Sequence, residues 1–259
     1  MPSPNRHRVA ALNHLAPAPR ADPARYPGER PAFDYLLAGD RILPIAPGPG
    51  GWRVTGSGQP DASEVVPLTG RLPVVAFGSN ASPAQLVAKF GVTERIPVTR
   101  ARLRGFSLGH SPHVSIPGYI PWVLVDDPGS VVDCAVLWLD DGQRARLDVT
   151  EPNYDLVRVD AVRYPLVVRA VDAVIGYAAY RGRWGALRWP GRDGPTAAST
   201  QAAVFHRLGE LGWFRQLVGD AADRLESCQR RLAAEGQLRE RVRSELLSRG
   251  MAMPDGWGG

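Results

Sequence analysis

Two short stretches of this 259-residue chain carry residue types able to do chemistry together. The first is Phe77-Gly78-Ser79-Asn80, a glycine-containing turn between an apolar run at 72–77 and a helix-like segment. Glycine permits backbone shapes closed to other residues, and a helix start exposes unpaired N–H groups. Those donors suit an anion such as a carboxylate. The second is LDVTEPNY at 147–154, with Glu151 beside Pro152 and near Tyr154. A carboxyl group set against apolar, strand-rich chain is partly desolvated, which disfavours its charged form and raises its pKa toward neutrality. A general base working near pH 7 needs that property. On its own spacing, Glu151 reads first as an exposed loop glutamate, and such a turn usually holds no ligand.

The elements around these residues read as strands and a few helices. Ser82 reads as an N-cap, with Pro83 at the first helical position and Gln85 three residues after the cap. Leu86, Val87 and Phe90 give that helix an apolar side, and Gly91 ends it. Strands are predicted over 98–108 and 119–125. VVDCAVLWL at 131–139 is a continuous apolar run, as in a strand buried on both faces. A short helix is predicted over 142–149, then further alternating stretches over 156–166 and 167–180, with Gly176 marking a bulge or bend. Short strands with few helices predict an α+β fold with a small closed barrel, not a doubly wound parallel sheet.

Three regions are expected: an N-terminal extension over 1–68, a barrel domain over 69–182, and a loop with a helical tail over 183–259. The extension is rich in Pro and Gly, with one apolar island from Phe33 to Ile45 that predicts a strand or hairpin around Ala38-Gly39-Asp40. A linker is expected over 55–63. Amphipathic helices are predicted over 197–218 and 220–248, ending near Gly250 in a short polar tip. They offer a surface for a homodimer.

The joint pattern resembles the gamma-glutamylcyclotransferase-like family. That family has a Tyr-Gly-Ser-Asn turn after its first strand, then a buried strand, then Leu-Asp, two or three residues, Glu and a nearby tyrosine. Here Phe77 to Asn80 match the turn, and Leu147-Asp148, Glu151 and Tyr154 match the second motif. The segment Tyr119-Ile120-Pro121-Trp122 also looks like the family, and the likeness covers about residues 72–180. It implies a small β-barrel with a pocket, no metal and no organic cofactor. It also implies Glu151 as general acid/base and Phe77, Gly78, Ser79, Asn80 and Tyr154 as substrate-binding residues. The implied reaction is attack of a γ-glutamyl amine on its own γ-carbonyl, releasing 5-oxoproline. Phe77 departs from the family tyrosine, Ala81 from Leu or Met, and Pro152 from glycine, which bears on the substrate. The alternative is a non-catalytic module of the same fold that recognises a carboxylate-bearing ligand or a protein partner. A third reading places the function in the helical tail.

The rest of the composition narrows the class. No apolar run approaches the roughly 18 residues a membrane helix needs, and the first 20 residues lack an apolar signal core, so a cytoplasmic, membrane-free protein is expected. Net charge is +5, yet arginine alternates with Asp and Glu without a block of like charge, so no nucleic-acid partner is expected. Lys89 is the only lysine. Cys134 and Cys228 are too far apart in sequence to form a disulfide framework or zinc site. His110 and His113 form H-x-x-H without an evident third ligand. Trp184 and Trp189, among Arg181, Arg183 and Arg188, read as packing for the tail against the barrel.

Overall fold

A computed structural model describes residues 10–11, 16–48, 51–55, 64–168, 174 and 176–257. The expected linker lies, beyond Thr55, outside the described residues. The strands are β1 (Ala10–Ala11), β2 (Tyr35–Ala38), β3 (Arg41–Gly48), β4 (Gly51–Val54), β5 (Val65–Val66) and β6 (Leu72–Ala76). Then come α1 (Pro83–Phe90), β7 (Arg95–His110), β8 (Trp122–Leu139), α2 (Asp141–Val149), β9 (Tyr154–Val159), β10 (Leu166–Val168) and β11 (Tyr177–Gly182). The C-terminal part adds β12 (Ala186–Leu187), α3 (Gln201–Gly209), α4 (Gly212–Val218), α5 (Leu225–Ala234), α6 (Gly236–Ser248) and β13 (Ala252–Met253).

The fold is α+β, but the sheet does not close into the expected barrel. Its strand order is β5-β4-β3-β2-β7-β8-β6-β11-β9, with both ends of that path open among the described residues. Closure needs β10 to pair with β9, and no such ladder forms among the described residues; the outer edge of β7 is divided between two partners. Its start pairs with β2 (Val98 with Tyr35) and its middle with β10 (Leu103 with Leu166). The ladder therefore branches. Between those stretches and the far half of β7 the register shifts at Gly105. That glycine has φ +81°, and a Cβ there would lie 2.8 Å from the Tyr164 ring. The apolar island at 33–45 forms the predicted hairpin, and it joins this sheet through β2.

Hydrophobic burial explains the layers. The continuous run at 131–139 is the last half of β8, pinned between β7 and β6 and buried at every residue from Cys134 to Leu139. One face of the sheet is covered by α1 and α2 through Leu86, Phe90 and Leu147. The other holds Leu103, Phe106, Tyr177 and Trp257. The apolar sides of α3 to α6 form a separate core with Leu187, Trp189 and Met251. Trp189 thus packs the helical region, and Trp184 lies under the Arg243 guanidinium, 4.1 Å from its ring centre. Each predicted long helix is broken in two, at 210–211 and at Glu235. The tip beyond Gly250 is not a free polar end: Asp255 is buried against Arg181, and Trp257 Nε1 donates to the Leu124 carbonyl at 3.0 Å.

Candidate active site

The cavity opens beyond the carboxyl end of β6. β8 runs antiparallel to β6 and β11 runs parallel to it, so Trp122 and Tyr154 come to the same end. The chain leaves β6 through Phe77 and Gly78 into a single 3-10 turn, Ser79–Ala81. In that turn the Ala81 and Ser82 amides donate to the carbonyls of Gly78 and Ser79. The amides of Gly78, Ser79 and Asn80 are donors in none of its hydrogen bonds. Ser82 is the N-cap of α1 but its side chain makes no cap bond; Gln85 instead accepts from the Arg20 amide.

Helix α2 positions the second motif. Its start carries a capping box between Asp140 and Gln143. Its end is tied down by Leu147, fully buried, and by Asp148, which accepts from Tyr180 Oη at 2.7 Å and pairs with Arg144. Thr150 is the C-cap, and the next residue, Glu151, turns into the cavity while its carbonyl accepts from the Tyr154 amide.

The two motifs meet. Asn80 Nδ2 donates to Glu151 Oε1 at 2.9 Å, across 71 residues of sequence. Lys89, on α1, donates its ammonium to the same Oε1. This ion pair is well shielded, with side-chain exposures of 7% for Lys89 and 14% for Glu151. Because a carboxylate only accepts, Asn80 must point its nitrogen at Glu151. Its Oδ1 is left buried without a partner among the described residues. Glu151 Oε2 accepts no hydrogen bond among the described residues.

Phe77, Gly78, Ser79, Asn80, Glu151 and Tyr154 all line this one cavity of about 310 Å³. Its walls are aromatic. Tyr26 stacks on Tyr119 at 4.4 Å and meets Trp122 edge-on. Tyr26 Oη accepts from the Trp122 amide at 2.8 Å, and Tyr154 Oη donates to the Trp122 carbonyl at 3.1 Å. Ser79 Oγ and Tyr119 Oη are 3.5 Å apart. Burial pushes the Tyr119 phenol up to about 12 and raises Tyr26 and Tyr154 as well, so all three stay neutral at physiological pH.

Gly78 is needed for a reason other than the one its sequence context suggests. Its φ is −99°, open to any residue. A Cβ, however, would lie 2.6 Å from Tyr26 Oη. Gly78→Ala is expected to cost about 1–3 kcal/mol through overpacking. Part of that loss should return in the Gly78→Ala/Tyr26→Phe double variant, which removes the obstructing hydroxyl. Urea denaturation of the four proteins checks this; equal losses in both backgrounds would count against it.

Sequence reasoning missed Tyr26, Arg20 and Lys89. The first two lie in the Pro/Gly-rich extension. Lys89 carried a signal, as the single lysine in an arginine-rich chain, on the helix that starts at the turn.

No family model and no curated protein matches this sequence. Among solved structures, a gamma-glutamyl cyclotransferase is similar at 16% identity and a TM-score of 0.36, over 43% of this chain and 66% of that one. The family name suggested by the motifs recurs there. A solution structure from Arabidopsis thaliana is similar at 19% identity and a TM-score of 0.35, over 57% of this chain and 87% of that one. An uncharacterised protein from Homo sapiens is similar at 14% identity and a TM-score of 0.38, over 73% and 92%. No described helix is long and apolar enough to cross a membrane.

Proposed function

We propose that this protein cleaves a γ-glutamyl amide by intramolecular attack and releases 5-oxoproline, with Glu151 as general acid/base. The observation that carries the reading is the arrangement at Glu151: both of its side-chain bonds fall on Oε1, while Oε2 is unengaged in a residue that lines the cavity.

The reaction runs as follows. The substrate α-ammonium donates to Oε2. Glu151 takes one proton, and the freed amine attacks the γ-carbonyl of the same molecule. The attack leaves a second proton on the attacking nitrogen. As the C–N bond to the leaving amine breaks, Glu151 returns the first proton to the leaving nitrogen, and the second passes to the departing amine through solvent, so the products are a lactam N–H and an ammonium. Attack within one molecule gains from proximity, so the protein mainly supplies orientation and proton transfer. The unengaged amides of the 78–80 turn are available to the carbonyl oxygen as charge develops there. Lys89 offsets the charge of Glu151 in a shielded site. The neutral phenols close the walls without adding charge.

Incubation with a panel of γ-glutamyl dipeptides and γ-glutamylamines, with 5-oxoproline measured by mass spectrometry, tests this. Release of 5-oxoproline from at least one of them is expected. Tight binding of γ-glutamyl compounds with no release would favour the non-catalytic module, a reading supported by the Lys89 pair that already occupies the carboxylate.

A further inference from the structure

The reading of the cavity as a γ-glutamyl site leaves one lining charge without a role. Among the described residues, the charged side chains that line the cavity are Arg20, Lys89 and Glu151; His113 is fully buried and held neutral, its pKa lowered to about 3 by desolvation. Lys89 and Glu151 neutralise each other, so the lining carries one net positive charge, on Arg20.

Arg20 is not a loose surface side chain. Its amide donates to Gln85 Oε1 at 3.2 Å, and its Nη1 donates to the Ala88 carbonyl at 3.0 Å. Both partners are on α1, the helix that also carries Lys89. The segment bearing Arg20 is fixed further along by Tyr26, wedged against Tyr119 and Trp122. Arg20 Nη2 has no partner among the described residues. Arg20 is exposed, whereas Lys89 and Glu151 lie deep. It therefore stands at the rim, and its charge reaches across to the Tyr119 phenol, where it opposes the upward shift caused by burial.

Resting on the proposed function, we infer that Arg20 is the specificity-determining residue of this cavity and that it binds a carboxylate on the amine that leaves. The α-amine and α-carboxylate of a γ-glutamyl group sit on one carbon. With the amine at Glu151, both lie at the deep end, near the free amides of the turn. The far end of the substrate is then the leaving group, at the rim beside Arg20. A γ-glutamyl amino acid carries one net negative charge and matches the lining. A γ-glutamylamine is net neutral and leaves the guanidinium without a counter-charge. The substrate class is accordingly γ-glutamyl amino acids or peptides whose carboxylate lies close to the scissile amide.

γ-Glutamylalanine and γ-glutamylethylamine differ only by that carboxylate. The intact protein is expected to favour the first in kcat/KM by roughly five- to tenfold, through KM, as for a charge-assisted bond at a solvated rim. Arg20→Gln should bring the ratio close to one, and Arg20→Lys should keep part of it. The same pair of ligands is titrated by calorimetry against Glu151→Gln and Glu151→Gln/Arg20→Gln, which separates binding from turnover. Loss of the carboxylate preference in binding, with no 5-oxoproline formed by the wild type, supports Arg20 and removes the proposed reaction. A ratio unaffected by Arg20→Gln, a wild type without preference, or no binding of either ligand overturns the assignment.

Discussion

Glu151→Gln is expected to lower the rate of 5-oxoproline formation by about 10²–10⁴-fold, the usual contribution of a positioned acid/base group. The amide keeps the shape of the carboxyl group, and its oxygen can still accept from Asn80 and Lys89. What it loses is the ability to take a proton from the substrate ammonium and return it to the leaving nitrogen. KM should change much less than kcat, because the remaining walls still hold the glutamyl group. The substitution also removes the counter-charge of a shielded Lys89. Breaking such a pair from one side costs about 3–5 kcal/mol, so a fall in melting temperature should accompany the loss of rate. Rates are therefore to be normalised to folded protein, measured by circular dichroism. A Glu151→Gln variant that folds and retains full turnover would remove this residue from the mechanism.

The second large effect is a loss of stability in acid, driven by the two histidines whose H-x-x-H spacing hints at a metal site. The described residues contain no cluster of three metal-ligating side chains. Each ring is instead committed to a serine. His110 Nε2 accepts from the Ser199 amide at 3.0 Å, and His113 Nδ1 lies 2.6 Å from Ser111 Oγ. Both imidazoles are buried, and desolvation lowers His110 to about 4 and His113 to about 3, the Arg243 charge adding to the latter. Their ordinary value of 6.5 applies once the chain unfolds. The unfolded state therefore binds more protons below that value, and stability falls as pH falls. The contribution is complete above about pH 6.5 and is lost progressively toward pH 4 for His110 and pH 3 for His113. The slope approaches about 1.4 kcal/mol per pH unit for each ring and is half that at pH 6.5, so the two together remove ~3 kcal/mol between pH 6.5 and pH 5. Urea denaturation at pH 7 and pH 5 measures it, and His113→Gln should flatten the dependence by about half. A wild type equally stable at both values would contradict this account.

Much of the local structure was legible because its causes lie within a few residues. Pro83 can start a helix and Gly91 can stop one, and α1 begins and ends there. The apolar run at 131–139 becomes the buried half of β8. The hairpin around Gly39 forms where an apolar island is interrupted by Ala38-Gly39-Asp40. The reading failed where a cause lay far along the chain. Residues 98–108 and 119–139 looked like several short strands suited to a barrel, but β7 and β8 are each one long strand, and β7 divides one edge between β2 and β10. A single long helix was expected over 220–248, yet the chain breaks at Glu235, where α5 and α6 both turn their apolar sides to one core.

The candidate site divides in the same way. The sequence by itself determined the Gly78-Ser79-Asn80 turn, the helix that follows it and a glutamate just past the end of α2, because glycine, proline and capping residues act on their immediate neighbours. Only the tertiary structure decided that Lys89 would share an oxygen of Glu151 with Asn80, that Tyr26 would wall the cavity and require a glycine at 78, and that Arg20 would stand at its rim. These contacts join residues 52 to 96 positions apart. They arise from the packing of whole layers, for which no short stretch of sequence holds the information.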